Sequence, residues 1–360
     1  MTQTQAINRC PRYFSYIFMM STLLLVGALH LATPLLAALF AFFALKKLHR
    51  FQRWGRIPVV TVFVILVSAI TYGIAFFSNQ AVVALPSIAD KAIPSIAEWA
   101  HKLDLELPFS DFDGLISLLM DEVPRQTQVI GNFARIAREA TMQVVFLLIG
   151  VVVAVSIFLG AGFELDRDDR HPPLNLYSQC CDEIAMRFST FFHSFTTVMG
   201  AQIAISAINT VATAIFVLAV NMPHPIVIVG VTFFCGLLPI IGNLISNTII
   251  VSVGFTVSPD MALMALCFLI VIHKMEYFLN SKIIGARIRN PLWLTLLGLI
   301  MGEKIMGIPG MILAPVLLHY IKIEASQIVP CGFLGKSEPC PPDGLACAAG
   351  PANGTSAPGL

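Results

Sequence analysis

The chain has 360 residues, 57% hydrophobic and only 12% charged, with a net charge of +1. Soluble domains carry about 25% charged residues, so this composition argues against a water-soluble enzyme, and the near-neutral balance removes any electrostatic case for nucleic acid. A mean hydropathy of +0.81 and repeated apolar runs near or above ~18 residues read as an all-α integral membrane protein.

Arg9 and Arg12 precede the first apolar stretch, Tyr16 to Leu45, which is too long for a signal-peptide core and reads as retained. It is kinked near Thr33-Pro34, and Lys46, Lys47, Arg50, Arg53 and Arg56 follow it. Basic flanks stay cytoplasmic, so this stretch either crosses twice or dips in and returns. Ile57 to Phe77 then crosses outward, and residues 1–83 form an N-terminal membrane unit. The polar region that follows, 84–139, is expected outside. Residues 78–139 carry five Lys/Arg against nine Asp/Glu and no cysteine. Within that region Leu115, Leu118, Leu119, Val123, Val129, Ile130, Phe133 and Ile136 recur at near-helical spacing.

A helix within 140–163 returns inward. Residues 164–195 form a cytoplasmic segment with an amphipathic run, Leu176, Ile184, Phe188, Phe191, Phe192 and Phe195. Phe195 to Val220 crosses outward and opens a core unit over 196–325. Two apolar stretches in this unit are broken. The first, Ile226 to Val257, breaks at Leu238-Pro239-Ile240-Ile241-Gly242-Asn243. The second, Leu292 to Ile321, breaks between Met301 and Gly310. Each break leaves arms of roughly 10–15 residues, or ~15–22 Å of helix, short of a ~30 Å bilayer core. If 226–257 crossed once, Lys282, Arg287 and Arg289 would land outside, against the positive-inside rule. The fold expected is therefore several spanning helices plus two oppositely entering re-entrant helical hairpins, with both termini cytoplasmic. Residues 326–360, rich in Pro, Gly, Ala and Cys, read as a disordered tail.

Motifs for bond-making chemistry are missing. Gly335-Lys336-Ser337 lacks the glycine five positions earlier that a phosphate loop needs, because Pro330 stands there. The eight cysteines match no zinc or redox spacing, so no metal and no cofactor are expected. Broken apolar segments point instead to a solute site, since irregular backbone at membrane depth survives only when buried or lining a cavity. The candidate pathway residues are Gln202 and Asn209, seven apart on one helix face; Pro239, Gly242, Asn243 and Asn247 at the first break; Glu276 and Asn280, four apart; and Gly302, Glu303, Lys304, Gly307, Pro309 and Gly310 at the second. Interhelical hydrogen bonding is the alternative for the neutral polar residues. Membrane-depth ionisable groups cost at least ~2.5–3.5 kcal/mol, which singles out Glu276, Glu303 and Lys304.

The C-terminal half resembles the autoinducer-2 exporter family of bacterial membrane proteins. The likeness rests on Leu237-Leu238-Pro239-Ile240-Ile241-Gly242-Asn243, on Glu276-Tyr277-Phe278-Leu279-Asn280-Ser281-Lys282-Ile283-Ile284-Gly285, and on Gly307-Ile308-Pro309-Gly310-Met311-Ile312-Leu313-Ala314-Pro315. It implies a secondary transporter of the bacterial inner membrane, a homo-oligomer such as a pentamer. The expected partner is a small polar solute such as autoinducer-2, exported by an elevator-like movement of the hairpin core. Sodium or lithium/proton antiport is an alternative within the same family, and a non-transporting membrane scaffold is another.

Overall fold

A computed structural model describes residues 3–51, 55–104, 129–160, 176–239, 241–279 and 291–326. Its elements are α1 (Gln3–Ala28), α2 (Ala32–Phe51), α3 (Arg56–His101), α4 (Val129–Leu159), α5 (Leu176–Ala219), α6 (Pro225–Gly236), α7 (Ile241–Phe255), α8 (Pro259–Leu279) and α9 (Leu292–Ser326). The expected all-helical class holds among the described residues. Five helices, α2 to α5 and α9, contain stretches long and apolar enough to cross a membrane, while α6 and α7 are shorter apolar helices. Residues 105–128, Asn280 and the tail beyond Ser326, which include part of the outer amphipathic run, lie outside the described residues.

Local chemistry sets the boundaries. The N-terminal stretch breaks at His30, in a left-handed conformation (φ 55°), three residues before the Thr33-Pro34 step. Pro34 instead falls in the first turn of α2, where a missing N–H costs nothing. Pro225 and Pro259 open α6 and α8 in the same way. α3 continues for 46 residues through Pro86 and Pro94. At 1.5 Å per residue it is about 69 Å long, more than twice a bilayer core. α5 is likewise one 44-residue helix, so the expected amphipathic and spanning parts meet at Phe195 without a break.

The two long helices bridge two apolar cores. The first joins Met19 of α1, Leu36 to Leu45 of α2, Val59 and Phe63 of α3, Phe158 of α4, Phe191 to Met199 of α5, and Leu313 to Tyr320 of α9. The rings of Phe42 and Phe192 meet edge to face at 4.8 Å. The second core joins Ala81 to Ile88 of α3, Val217 of α5, Ile228 and Val231 of α6, Ile250 and Val253 of α7, and Ala265 and Leu269 of α8. Elsewhere α3 exposes Ile65, Tyr72 and Val82, a surface that a lipid solvent accommodates and water does not.

At one end of the first core Arg187 is 96% buried between two acids, with Nη2 2.9 Å from Glu183 Oε2 and Nη1 2.5 Å from Glu324 Oε2. Its guanidinium lies 4.4 Å from the Tyr16 ring centre, and the Tyr16 hydroxyl donates to Glu324. Burial opposes the charge on Arg187, but Glu324 and Tyr16 facing it hold its pKa above the ordinary value. This cluster ties α1, α5 and the end of α9 together.

Both broken stretches fold back on themselves. α6 and α7 pack in one core that contains Ile228 of the first and Ile250 and Val253 of the second. α9 is continuous in hydrogen bonding yet turns at Gly307, whose φ of 64° and ψ of −149° are non-helical. Unbroken, residues 298 and 318 would stand about 30 Å apart. Instead a Cβ on Gly298 would lie 3.1 Å from Leu318 Cδ1, and one on Gly310 would lie 2.1 Å from the Gly302 carbonyl oxygen. α9 is therefore a hairpin of two arms, and its full length is not one span.

That backbone contact leaves no room for a methyl group. We expect Gly310→Ala to lower stability by ~1–3 kcal/mol through overpacking, read as a fall in the thermal midpoint of the purified protein. Gly200→Ala, where the added Cβ meets nothing within 4 Å, should gain about 0.5–1 kcal/mol as a mid-helix replacement. Equal midpoints for the two would refute the tight hairpin.

Candidate functional site

The first break creates the site. α6 ends at Gly236, and the last carbonyls of any helix lack internal partners. α5 supplies them: Gln202 Nε2 donates to the Gly236 carbonyl at 2.7 Å, and Ser206 Oγ donates to that of Phe233 at 2.8 Å. The chain then turns through Leu237, Leu238 and Pro239 into α7. Only glycine fits at 242, because a Cβ there would lie 1.6 Å from the Cys235 carbonyl oxygen.

The turn presents Asn243 to α8. Its Nδ2 donates to both Glu276 oxygens at 2.9 Å. One turn along α7, Asn247 Nδ2 lies 2.8 Å from His273 Nε2. With the amide donating, the ring proton sits on Nδ1, which faces Glu276 Oε2 at 3.7 Å. Glu276 is 18% exposed and His273 42%. α5 adds Asn209 and Thr213, and α6 adds Thr232. These groups, with Ser246 and the flanking Ile250, Leu269 and Ile272, line one polar cleft. Asn209 is 93% buried, and its Oδ1 has no hydrogen-bond partner among the described residues.

The expected residues thus separate into two groups. Asn209, Asn243, Asn247 and Glu276 come together in the cleft. Gln202, Pro239 and Gly242 shape the break beside it. Asn280 lies outside the described residues. The second group sits at the tip of α9, which packs on α5, α2 and α1. There Gly302 and Gly310 are buried against each other, Pro309 is half-buried, and Glu303, Lys304 and Gly307 are exposed. No hydrogen bond or ion pair among the described residues joins the two groups.

Sequence reasoning missed His273, Thr213, Thr232 and Ser246. Two of them carried a signal: His273 is three residues before Glu276 and Thr213 four after Asn209, spacings that share a helix face. Among the described residues no group of three or more His, Cys, Asp or Glu could hold a metal ion. Chemically, the cleft sets a carboxylate held by the Asn243 amide, and the acceptor of Asn209, around a small volume.

A carboxylate away from water depends on its donors. Asn243→Ala should cost ~1–3 kcal/mol of stability. A double-mutant cycle with Glu276→Gln should return a coupling of at least about 0.5 kcal/mol. Thermal midpoints of the four proteins measure it, and strict additivity would show that the pair is not formed.

Comparison with known proteins adds two findings. The family model described as AI-2E family transporter matches residues 13–329. YdbI of Bacillus subtilis (strain 168), named only as a candidate transport protein, is 30% identical over 145 residues, covering 39% of this chain and 41% of that protein. The match therefore spans about two fifths of that relative's length.

Proposed function

The chain belongs to the AI-2E transporter family, and from that premise we propose that it is a secondary transporter exporting a small polar solute such as autoinducer-2, with the cleft at the first break as the solute site. The observation that carries this reading is Glu276, an acid in an apolar chain, gripped by Asn243 across the break. Ionisable groups are retained at membrane depth chiefly where they work on a passing solute or ion.

On this reading both hairpins are re-entrant and enter from opposite faces, and the core over 196–325 moves in an elevator-like fashion. α3 and α5 run through both apolar cores, so displacement of the α6–α8 unit would be accommodated by tilting or bending these two helices. The protein is a homo-oligomer of the bacterial inner membrane with both termini cytoplasmic. The positive-inside rule supports a cytoplasmic location for the end of the first core where Lys46 lies over Phe42 and Phe192. A second reading, sodium or lithium/proton antiport, draws on the same carboxylate, since Glu276 beside His273 could exchange a proton for a cation.

Liposomes loaded with autoinducer-2 separate the two. The exporter reading expects release above protein-free liposomes under an imposed proton or sodium gradient, reduced at least about tenfold in Glu276→Gln. Gradient collapse on adding sodium or lithium, without autoinducer-2 release, favours antiport instead. Re-entry is tested separately in cells. A Ser258→Cys variant should be labelled by a membrane-impermeant maleimide from outside, and labelling only from the cytoplasmic face would overturn the proposed threading.

A further inference from the structure

The polar cleft has an apolar neighbour. Between α3, α7 and α8 runs a groove of about 410 Å³ lined by Ile96, Val251, Leu266 and Ile270, among others. This lies within the ~300–1,000 Å³ range of small-molecule sites. Groove and cleft share three lining residues, Asn247, Leu269 and His273. The hydrogen bond from Asn247 to His273 therefore stands on the boundary between them.

The two compartments differ in size and chemistry. The cleft behind the boundary holds about 10 Å³, room for roughly one water-sized group. Its lining includes the carboxylate of Glu276 and neither lysine nor arginine. It also holds the unpartnered Asn209 Oδ1, an acceptor without a donor. A group that suits this space is compact, positively charged and rich in N–H donors. A primary ammonium offers three such donors in about the volume of a water molecule. Its attached chain would lie in the groove.

We propose that groove and cleft form one bipartite site for a small amphipathic primary amine, with the apolar body between α3, α7 and α8, the ammonium against Glu276 and Asn209, and the His273–Asn247 pair as the threshold between them. The proposal rests on the reading of the cleft as the solute site and adds to it a second solute class, since autoinducer-2 carries hydroxyls and no amine. Glu276 supplies the opposite charge that a desolvated ammonium requires. Asn209, which lines the same cleft, supplies a second acceptor from the helix that runs through both cores. A quaternary ammonium has no donors and exceeds the cleft. An alcohol of the same chain length fills the groove but leaves the carboxylate without a cation.

The test is calorimetric titration of the purified full-length chain in detergent with butylammonium, butanol and butyltrimethylammonium. Butylammonium should bind saturably, and the other two at least about tenfold more weakly, a difference of one decade in Kd. Glu276→Gln and, independently, Asn209→Leu should each weaken butylammonium by about tenfold or more without weakening butanol. Leu266→Trp should weaken butylammonium by filling the groove while leaving methylammonium unaffected. Equal affinity for butylammonium and butanol would overturn the proposal and reveal a groove that takes any acyl chain, detergent and lipid included. No butylammonium binding by a protein that still releases autoinducer-2 would overturn it and leave the transport reading standing. Butylammonium binding lost in Glu276→Gln, by a protein that moves no solute, would uphold the bipartite site and remove the transport reading.

Discussion

Everything distinctive about this molecule depends on how it pairs the backbone of a broken helix. Apolar surroundings offer no water for the last carbonyls of α6. Gln202 and Ser206 on α5 take up two of them, and the chain can then turn within a few residues. That turn is what aims Asn243 and Asn247 at α8. Without the pairing from α5 the break would be a defect, and Glu276 would face an apolar wall instead of an amide. The same helix, one and two turns further on, brings Asn209 and Thr213 to the lining of the cleft. A single helix thus satisfies the break and completes the cleft.

The two apolar cores sort the helices into two packed groups. α6, α7 and α8 pack together with the far portion of α3. The α9 hairpin is held in the first core, where buried Arg187 and Glu324 link it to α5 and α1. Removing one partner of a buried ion pair typically costs ~3–5 kcal/mol because the other charge is stranded. The end of the second hairpin is therefore anchored far more firmly than its tip, where Glu303 and Lys304 are exposed. The two hairpins resemble each other in sequence pattern but differ in how they are held. One is a polar site gripped from α5 and α8. The other is a tight glycine turn, and among the described residues no hydrogen bond or ion pair joins its tip to the first site.

This difference bears on what a solute would meet. The first break offers a carboxylate, a buried amide oxygen and an adjoining apolar groove, the features on which the proposed amine site rests. Glu303 and Lys304 carry opposite charges side by side and are open to their surroundings, so their net contribution to a bound ion is small.

Much of this was legible in the amino-acid sequence. Composition fixes the membrane class, because so apolar a chain needs an apolar solvent. The Pro/Gly steps at 238–243 and 301–310 mark both folds of the chain, since proline and glycine act on the backbone locally. Glu276, Asn243 and Asn247 stood out because polar groups in apolar runs need a reason. Other features depend on contacts between distant segments and were not legible. The continuity of α3 past Phe77 follows from packing of Ala81, Ala84 and Ile88 against α6–α8, which overrides the local signals of Pro86 and Pro94. The break at His30, rather than at Thr33-Pro34, puts the proline inside a first turn that tolerates it. His273 joined the site only when α8 was laid along α7, and Gln202 proved to pair the broken backbone when α5 was laid beside α6. Local backbone chemistry could say where the chain breaks. Which side chains face the break is set by the approach of helices far apart in sequence, and that is decided only in three dimensions.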